Sequence, residues 1–172
     1  MSLLSRLFGA APDDRAALRP LWSRVVTIAR EPEWYIRGGI ADSQQGRFDA
    51  VTMVLALVLL RMESTPALAV PTARLTELFV EDMDGQLRQD GVGDLIVGKH
   101  IGKLMSTLGG RIGAYRAALA AHDDAALIEA VQRNVSLTER GDAAAVAAHM
   151  RGLAGTLGET SDTALLTGEI VR

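Results

Sequence analysis

The chain is organised around the stretch Leu78–Leu119, LFVEDMDGQLRQDGVGDLIVGKHIGKLMSTLGGRIGAYRAAL. The spacing of its apolar residues predicts an acidic helix, a glycine-containing turn, a basic helix with interior glycines, a break at Gly109-Gly110 and a third helix. The stretch contains no recognisable catalytic motif. It therefore predicts a helical protein, and the faces of these helices are its candidate functional features.

The acidic helix is predicted to begin at Pro71 and Thr72, with Thr72 as its N-cap. Its apolar residues recur every three or four positions and form one stripe: Leu75, Leu78, Phe79, Met83 and Leu87. Asp82 projects near the middle of this stripe, with Gln86 one turn later. Because an unpaired buried carboxylate is costly, Asp82 is expected to accept backbone hydrogen bonds, to pair with a Lys or Arg, or to bind a partner. A metal site is the weakest interpretation, since the helix offers no His or Cys as a second ligand.

A turn at residues 89–94 joins the acidic helix to the basic one. Gly91 suits the left-handed conformation that ends many helices, and Gly93 suits a second position of positive φ. Asp94 is predicted to cap the next helix. A glycine-rich turn before a helix can also bind phosphate. However, no strand precedes this turn and no Lys-Ser or Lys-Thr follows it, so a structural connection is favoured.

The basic helix has two separable faces. The predicted core stripe consists of Val97, Ile101, Leu104, Met105 and Leu108. The other face carries Lys99 and Lys103 beside Leu95 and Ile96, which makes a partly apolar, basic docking surface. Gly98 and Gly102 flank the stripe, although each interior glycine costs about 1 kcal/mol relative to alanine. Close approach of a neighbouring helix would offset this cost, and that helix belongs either to the domain itself or to a bound partner.

Composition excludes several classes of function. The chain has 172 residues, which is enough for one domain with a sizeable core. Its net charge of −3 argues against generic electrostatic binding to nucleic acid. It has no cysteine, which removes disulfides, thiolate zinc sites and cysteine nucleophiles and fits a reducing, cytoplasmic compartment. The histidines, His100, His122 and His149, lack metal-ligand spacing, so no metal and no cofactor is expected.

Residues 47–62 form the most apolar helix, and we expect it to be buried at the centre of the domain. The apolar run is well short of the roughly 20 residues that a membrane-spanning helix needs, so a transmembrane interpretation is rejected. A helix this apolar could instead line a groove for a hydrophobic client. Trp34 and Tyr35, which precede it beside a polar loop, form either a packing plug or a binding hot spot.

The ends of the chain are predicted to differ from its middle. Residues 1–11 read as a segment that frays, docks on the domain or touches a membrane surface. Residues 12–152 form the folded domain, in which Pro20 either kinks the first long helix or starts a fresh segment. Residues 153–172 are expected to be a loose tail. No period-2 alternation is long enough for a pair of strands, so the prediction is an all-α, irregular bundle of six or seven helices.

Three segments carry a family resemblance: Tyr35–Met62 (YIRGGIADSQQGRFDAVTMVLALVLLRM), Leu78–Leu119, and Ala125–Val135, which contains Arg133-Asn134. The most specific motifs are Gly46-Arg47-Phe48, the turn 90–94 with Lys99 behind it, and Gly110-Arg111 ahead of Tyr115. Over residues 18–135 the chain resembles bacterial members of the ubiquinol–cytochrome c chaperone family. This family is related to the mitochondrial assembly factor that handles newly made cytochrome b for the bc1 complex (complex III).

The resemblance implies a non-enzymatic assembly chaperone that binds cytochrome b or another bc1 subunit, with contact to the inner-membrane surface as an accompanying expectation. The chain lacks a long basic extension for ribosomal RNA, which argues against ribosome contact. Our mechanistic hypothesis is that a client helix packs at Gly98 and Gly102, steered by Lys99 and Lys103. The complete set of predicted partner-binding residues is Trp34, Tyr35, Asp82, Leu95, Ile96, Gly98, Lys99, Gly102 and Lys103. Structural roles are assigned to Arg47, Phe48, Gly91, Gly93, Asp94, Arg111 and Tyr115.

Two other classes remain open at this point. An enzyme or metal protein would use Glu81, Asp82 and Asp84 together with Asp90 or Asp94, but adjacent acids on a helix point in different directions. A lipid- or membrane-surface binder would use residues 1–10 and the apolar helix. Binding of divalent ions would reveal the first, and flotation with liposomes, with and without residues 1–10, would reveal the second.

Overall fold

The computed structural model describes residues 15–89, 94–121 and 123–171, and it describes side chains for these residues except 87–89 and 94–98. The helices are α1 Arg19–Ala29, α2 Pro32–Ile36, α3 Gln44–Glu63, α4 Ala69–Gln89, α5 Asp94–Ala120, α6 Ala125–Asn134, α7 Ala143–Glu159 and α8 Asp162–Leu166. In these parts of the chain there is no strand, and the one isolated bridge pairs Ile40 with Leu137. The prediction of an all-α bundle is confirmed.

Helix α3 is the centre of the bundle, as its composition predicts. Ser43 caps it, since the Ser43 hydroxyl accepts a hydrogen bond from the Gly46 amide at 3.1 Å. Its side chains from Thr52 to Leu59 are all buried, and α1, α5 and α7 pack around it. Fully burying one such aliphatic side chain contributes about 1.5–3 kcal/mol, so α3 supplies much of the core. Within the described residues, no helix has the length and hydropathy required to cross a membrane.

The predicted break at Gly109-Gly110 is wrong, because both residues lie inside helix α5. It runs without interruption for 27 residues, from Asp94 to Ala120, and both glycines lie inside it. Leu108 and Tyr115 are buried on either side of the glycine pair, and this packing holds the helix across it. Helical propensity is a weak preference that such tertiary contacts override.

Helix α4 begins earlier than predicted. A short 3-10 helix, Pro66–Leu68, leads into it, and α4 itself starts at Ala69. The hydroxyl of Thr72 donates to the Leu68 carbonyl at 2.7 Å from inside the helix, so the assignment of Thr72 as N-cap is wrong. The predicted stripe is correct where side chains are described, because Leu75, Leu78 and Phe79 are buried and Met83 packs against the core.

The expectation of a loose tail at residues 153–172 is wrong for the described residues 153–171, which are mainly helical and packed on the bundle. Helix α7 continues to Glu159 and α8 follows it, and both Leu165 and Ile170 are buried. The guanidinium of Arg24 on α1 donates to the Ile170 carbonyl at 2.6 Å. The apolar residues among the small polar ones therefore suffice to dock residues 153–171 on the bundle. Pro20 lies in the first turn of α1, so it starts a segment rather than kinking one. Residues 1–11 lie outside the described part.

Two glycines let the loop before α3 meet the loop before α7. Gly39 has a φ of 67°, and a Cβ added to it would lie 2.5 Å from the Cα of Gly141. The Gly39 carbonyl accepts a hydrogen bond from the Thr138 amide at 2.8 Å, and the Gly38 carbonyl accepts one from the Asp142 amide at 3.0 Å. A side chain at Gly39 would push these loops apart.

Replacement of Gly39 by alanine is expected to lower the free energy of unfolding by about 2 kcal/mol, since a left-handed alanine is strained. Gly102→Ala is the matched control. A Cβ on Gly102 meets no described atom within 4 Å, so this change should raise the free energy of unfolding by up to about 1 kcal/mol. Urea denaturation measures both, and equal midpoints for the two variants would contradict the expectation.

Candidate functional site

A groove of about 1240 Å³ opens between α1–α2 on one side and α4–α5 on another, with the start of α3 between them. Its apolar lining comes from Val26, Pro32, Tyr35, Ile36, Phe48, Val51, Met83 and Leu104. Its polar lining comes from Arg30, Asp42, Gln44, Gln45, Arg47, Asp82, Gln86, His100, Lys103 and Thr107. Of the predicted partner-binding residues, it brings together Tyr35, Asp82 and Lys103.

Asp82 differs from its predicted environment. It is exposed in the groove, where its carboxylate accepts a hydrogen bond from the Gln86 side chain at 3.3 Å. Asp82 does share a helix face with Leu75, as predicted. At Asp82, however, this face lines the groove rather than the core, so the carboxylate reaches solvent without needing a buried partner. The expectation that backbone N–H groups or a cation would satisfy it is wrong.

Trp34 and Tyr35 have different surroundings. The Trp34 ring is fully buried, its indole N–H donates to the Ile28 carbonyl at 2.8 Å, and it stacks edge-on against His149 at 4.1 Å. Trp34 is therefore the packing plug, and its assignment to a partner surface is corrected. Tyr35 is half-buried at the groove, and its hydroxyl donates to the Ala29 carbonyl at 2.9 Å. Burial, followed by the nearby carboxylate of Asp42, raises the pKa of Tyr35.

Ile36 is the groove residue that the sequence does not single out. Its side chain is 80% exposed at the rim, next to Tyr35. A single exposed apolar side chain is common on protein surfaces, but Ile36 adjoins the apolar lining of the groove and so extends it to the rim. The sequence predicts only a short turn at Ile36. Its exposure at the groove follows from the packing of α2 against α1.

The described part of α5 presents its polar face and its small residues to solvent. Lys99, Gly102 and Lys103 are exposed, and within the described ranges no atom of a neighbouring helix lies within 4 Å of a Cβ added to Gly102. Leu108 is buried as predicted, but Met105 is 38% exposed and does not belong to the core stripe. The side chains of Leu95 and Ile96, and the environment of Gly98, lie outside the described part.

A buried ionic network lies behind the groove wall. The Arg111 guanidinium donates to the Asp49 carboxylate at 2.5 Å, to the Thr52 hydroxyl, and to the Asn134 carbonyl at 2.7 Å. The other Asp49 oxygen accepts from the Ser136 amide at 2.9 Å. Asp49, Thr52 and Arg111 are all buried, so α3, α5 and the end of α6 are joined by charge-assisted hydrogen bonds away from water.

This network touches the groove through Phe48, whose ring centroid lies 5.5 Å from the Arg111 guanidinium carbon. The three segments that carry the family resemblance therefore meet in space, because Phe48, Arg111 and Asn134 belong one to each of them. Tyr115 is fully buried nearby. Burial raises the pKa of Tyr115 to about 12, with opposing smaller effects from Arg111, which lowers it, and Asp49, which raises it.

The residues predicted to have structural roles lie in different environments: some in the core, one on the surface and some outside the described side chains. Arg111 and Tyr115 are core residues, and Phe48 packs against the core. Arg47 is exposed and forms an ion pair with Asp42 at 2.7 Å, which lowers the pKa of that carboxyl group through a hydrogen bond. Gly91 and Gly93 lie outside the described residues, and Asp94 is the first residue of α5 with its side chain undescribed.

Sequence reasoning missed Asp49 and Thr52, the partners of Arg111. A signal was present, because Asp49 is the single charged residue in the mainly apolar run from Phe48 to Leu60. A buried charge needs an opposite charge, and Arg111 is the buried cation that the structure supplies. In the described ranges no group of three or more His, Asp or Glu side chains is arranged to hold a metal ion. Asp90, which the acidic-cluster alternative invokes, lies outside them.

Comparisons with known proteins give a consistent result. The family model described as "Ubiquinol-cytochrome C chaperone" matches residues 37–172. The structure is similar to the crystal structure of the Cbp3 homolog from Brucella abortus, with a TM-score of 0.80 and 31% sequence identity, and the match covers 99% of this chain and 96% of that chain. The comparison with curated proteins found no match. The matches extend well beyond the segments that carry the resemblance in the sequence.

Proposed function

Because the chain belongs to the ubiquinol–cytochrome C chaperone family, we propose that it acts without catalysis as an assembly chaperone of the cytochrome bc1 complex. In this proposal its client is cytochrome b, which it binds before that subunit joins the complex. Binding takes place in the cytoplasm or at the inner-membrane surface.

The observation that carries the choice of site is the groove between α1–α2 and α4–α5. Its apolar lining includes Phe48 and Met83, and Ile36 stands exposed at its rim. Aromatic side chains bury large areas, and Met adapts to irregular partners. Such a groove suits an apolar helix of an unassembled membrane subunit, which must be kept from aggregating until its partners arrive.

The exposed glycine face of α5 supports the same proposal. Gly102 has no described neighbour, so a client helix could approach the α5 backbone closely there. Lys99 and Lys103 flank that position and are exposed. Replacing Gly98 with leucine would obstruct the approach, and unchanged client binding together with unchanged bc1 assembly in that variant would exclude the glycine part of the mechanism.

The proposal predicts that the tagged chain, recovered from solubilised membranes of cells that make the bc1 complex, retains cytochrome b. Ile36→Asp should reduce cytochrome b recovery by about tenfold, the loss expected when an anchor worth roughly 1–2 kcal/mol is removed. Thermal stability should not change, because Ile36 is exposed. Mass spectrometry of the captured proteins measures the recovery.

Val171→Asp is the matched control, since Val171 is also an exposed apolar residue, at 81%, but does not line the groove. It should retain cytochrome b at the wild-type level. The client assignment is wrong if the wild-type chain retains no cytochrome b above an untagged control. The site assignment is wrong if both aspartate variants retain it equally.

A further inference from the structure

The groove has a charge character opposite to that of the whole chain. Its lining contains three cationic side chains, Arg30, Arg47 and Lys103, and two carboxylates, Asp42 and Asp82, whereas the chain carries a net charge of −3. Arg47 and Asp42 neutralise each other in an ion pair. The charge left over is therefore set by Arg30, Lys103 and Asp82.

Arg30 and Lys103 are exposed and form no ion pair with any residue of the described ranges. Arg30 follows α1 as its C-cap residue, and Lys103 lies on α5, so the two cations come from different walls of the groove. Asp82 lies on α4 and is held by Gln86. An occupant thus meets positive charge on both sides of the groove, and a negative charge on the α4–α5 side only.

Apolar residues line the same groove as these charges. Tyr35, Phe48 and Leu104 line the groove together, and Met83 lies beside Asp82 in the sequence. A helix is roughly 10 Å in diameter, and helices that bind in grooves do so through apolar residues at three- and four-residue spacing with polar residues beside them. The arrangement matches a helix that has one apolar face with charges at its edges.

We infer that the groove recognises a helical segment that carries acidic side chains beside its apolar face, with Arg30 and Lys103 as the residues that select them. This inference rests on the proposed function and specifies the chemistry of the client segment. A segment with lysines in those places would meet like charges, which disfavours binding. Asp82 repels acids on the α4 wall and thereby sets the orientation of the bound helix.

Three synthetic helical peptides of about 18 residues, or roughly five turns, test the inference by fluorescence anisotropy with the full chain. They share one stripe of leucines and differ only in two flanking positions, which are Glu, Gln or Lys. The Glu peptide should bind about tenfold more tightly than the Lys peptide, the difference expected for two partly exposed charge pairs. High salt should reduce this preference.

The double variant Arg30→Glu/Lys103→Glu should reverse the preference and favour the Lys peptide. The control is Arg140→Glu, because Arg140 is exposed but lies in the loop before α7, away from the groove; it should behave as the wild type. Equal binding of the peptides, no binding of any of them, or a preference that the double variant leaves unchanged would overturn the inference. So would competition by phosphatidylglycerol vesicles that depends on Arg30 and Lys103 without any peptide preference.

The two proposals fail separately. Retention of cytochrome b from membranes with no charge preference among the peptides would leave the chaperone role intact and overturn the charge selection. A clear charge preference with no cytochrome b retained would uphold the charge selection and refute cytochrome b as the client.

Discussion

Arg111→Met is expected to lower the free energy of unfolding by about 3–5 kcal/mol. Arg111 and Asp49 are both buried and bonded to each other. Removing the guanidinium leaves the Asp49 carboxylate with no cation in a medium where an uncompensated charge is costly. It also removes the hydrogen bonds to Thr52 and to the Asn134 carbonyl. Urea denaturation followed by circular dichroism measures the loss.

The chain supplies a matched control on the same helix. Arg116 also pairs with an acid of α3, Glu63, at 2.5 Å, but both side chains are about half exposed. Arg116→Met should therefore cost at most about 1 kcal/mol, as exposed ion pairs do. Equal losses in the two variants would show that the buried Arg111 pair contributes no more to the free energy of unfolding than the exposed Arg116 pair does. The double variant Asp49→Leu/Arg111→Met should recover part of the loss, because no buried charge then remains.

Deletion of residues 161–172 is expected to lower the free energy of unfolding by about 3–6 kcal/mol, the contribution of fully burying two large aliphatic side chains. The side chains are Leu165 and Ile170. The deletion also removes Asp162, whose carboxylate accepts a hydrogen bond from Arg61 at 2.8 Å. Because a typical domain is stable by only about 5–15 kcal/mol in total, the shortened chain should be close to unfolding at growth temperature.

Two point variants test whether the buried side chains of residues 161–171, rather than the segment as a whole, account for this loss of stability. Leu165→Ala should lose about 2–5 kcal/mol through the cavity it leaves. Val171→Ala should change the free energy of unfolding by less than about 0.5 kcal/mol, since that side chain is exposed. A shortened chain that unfolds at the wild-type urea concentration would show that residues 161–171 are dispensable for the fold.

The helical class and the central position of α3 were predictable because both follow from one-dimensional patterns. An unbroken apolar run has no exposed face to offer, so it must be surrounded. The stripe of α4 was equally legible, from Leu75 to Met83. Each of these inferences needs only the helical period and the preference of apolar side chains for burial.

The predictions that are wrong share one cause: each rests on a local sequence pattern, and tertiary packing overrides that pattern. Gly109-Gly110 reads as a break, yet buried neighbours on both sides keep α5 continuous. The C-terminal region is rich in small and polar residues, yet Leu165 and Ile170 are enough to dock it. Asp82 occupies a position that the helical period predicts to be apolar, yet at that position the helix lines the groove rather than the core.

The groove could not have been predicted from the sequence because no single element contains it. Tyr35 and Lys103 were proposed from separate segments, and the path of α3 brings them to one surface. Ile36 and Arg30 gain their meaning only from that surface. The pairing of Asp49 with Arg111 was easier to predict. A carboxylate inside an apolar helix requires a buried cation, and the sequence has few Lys or Arg residues that could supply it.

The hydrogen bond between Arg24 and the Ile170 carbonyl joins residues 146 positions apart. A contact this distant in the chain cannot form during translation until residue 170 has left the ribosome. Until then the part of α1 that contacts Ile170 stays uncovered, and a large share of such long-range contacts is associated with slow folding. The side of α1 that contacts Ile170 is therefore completed only after residues 161–171 have been synthesised.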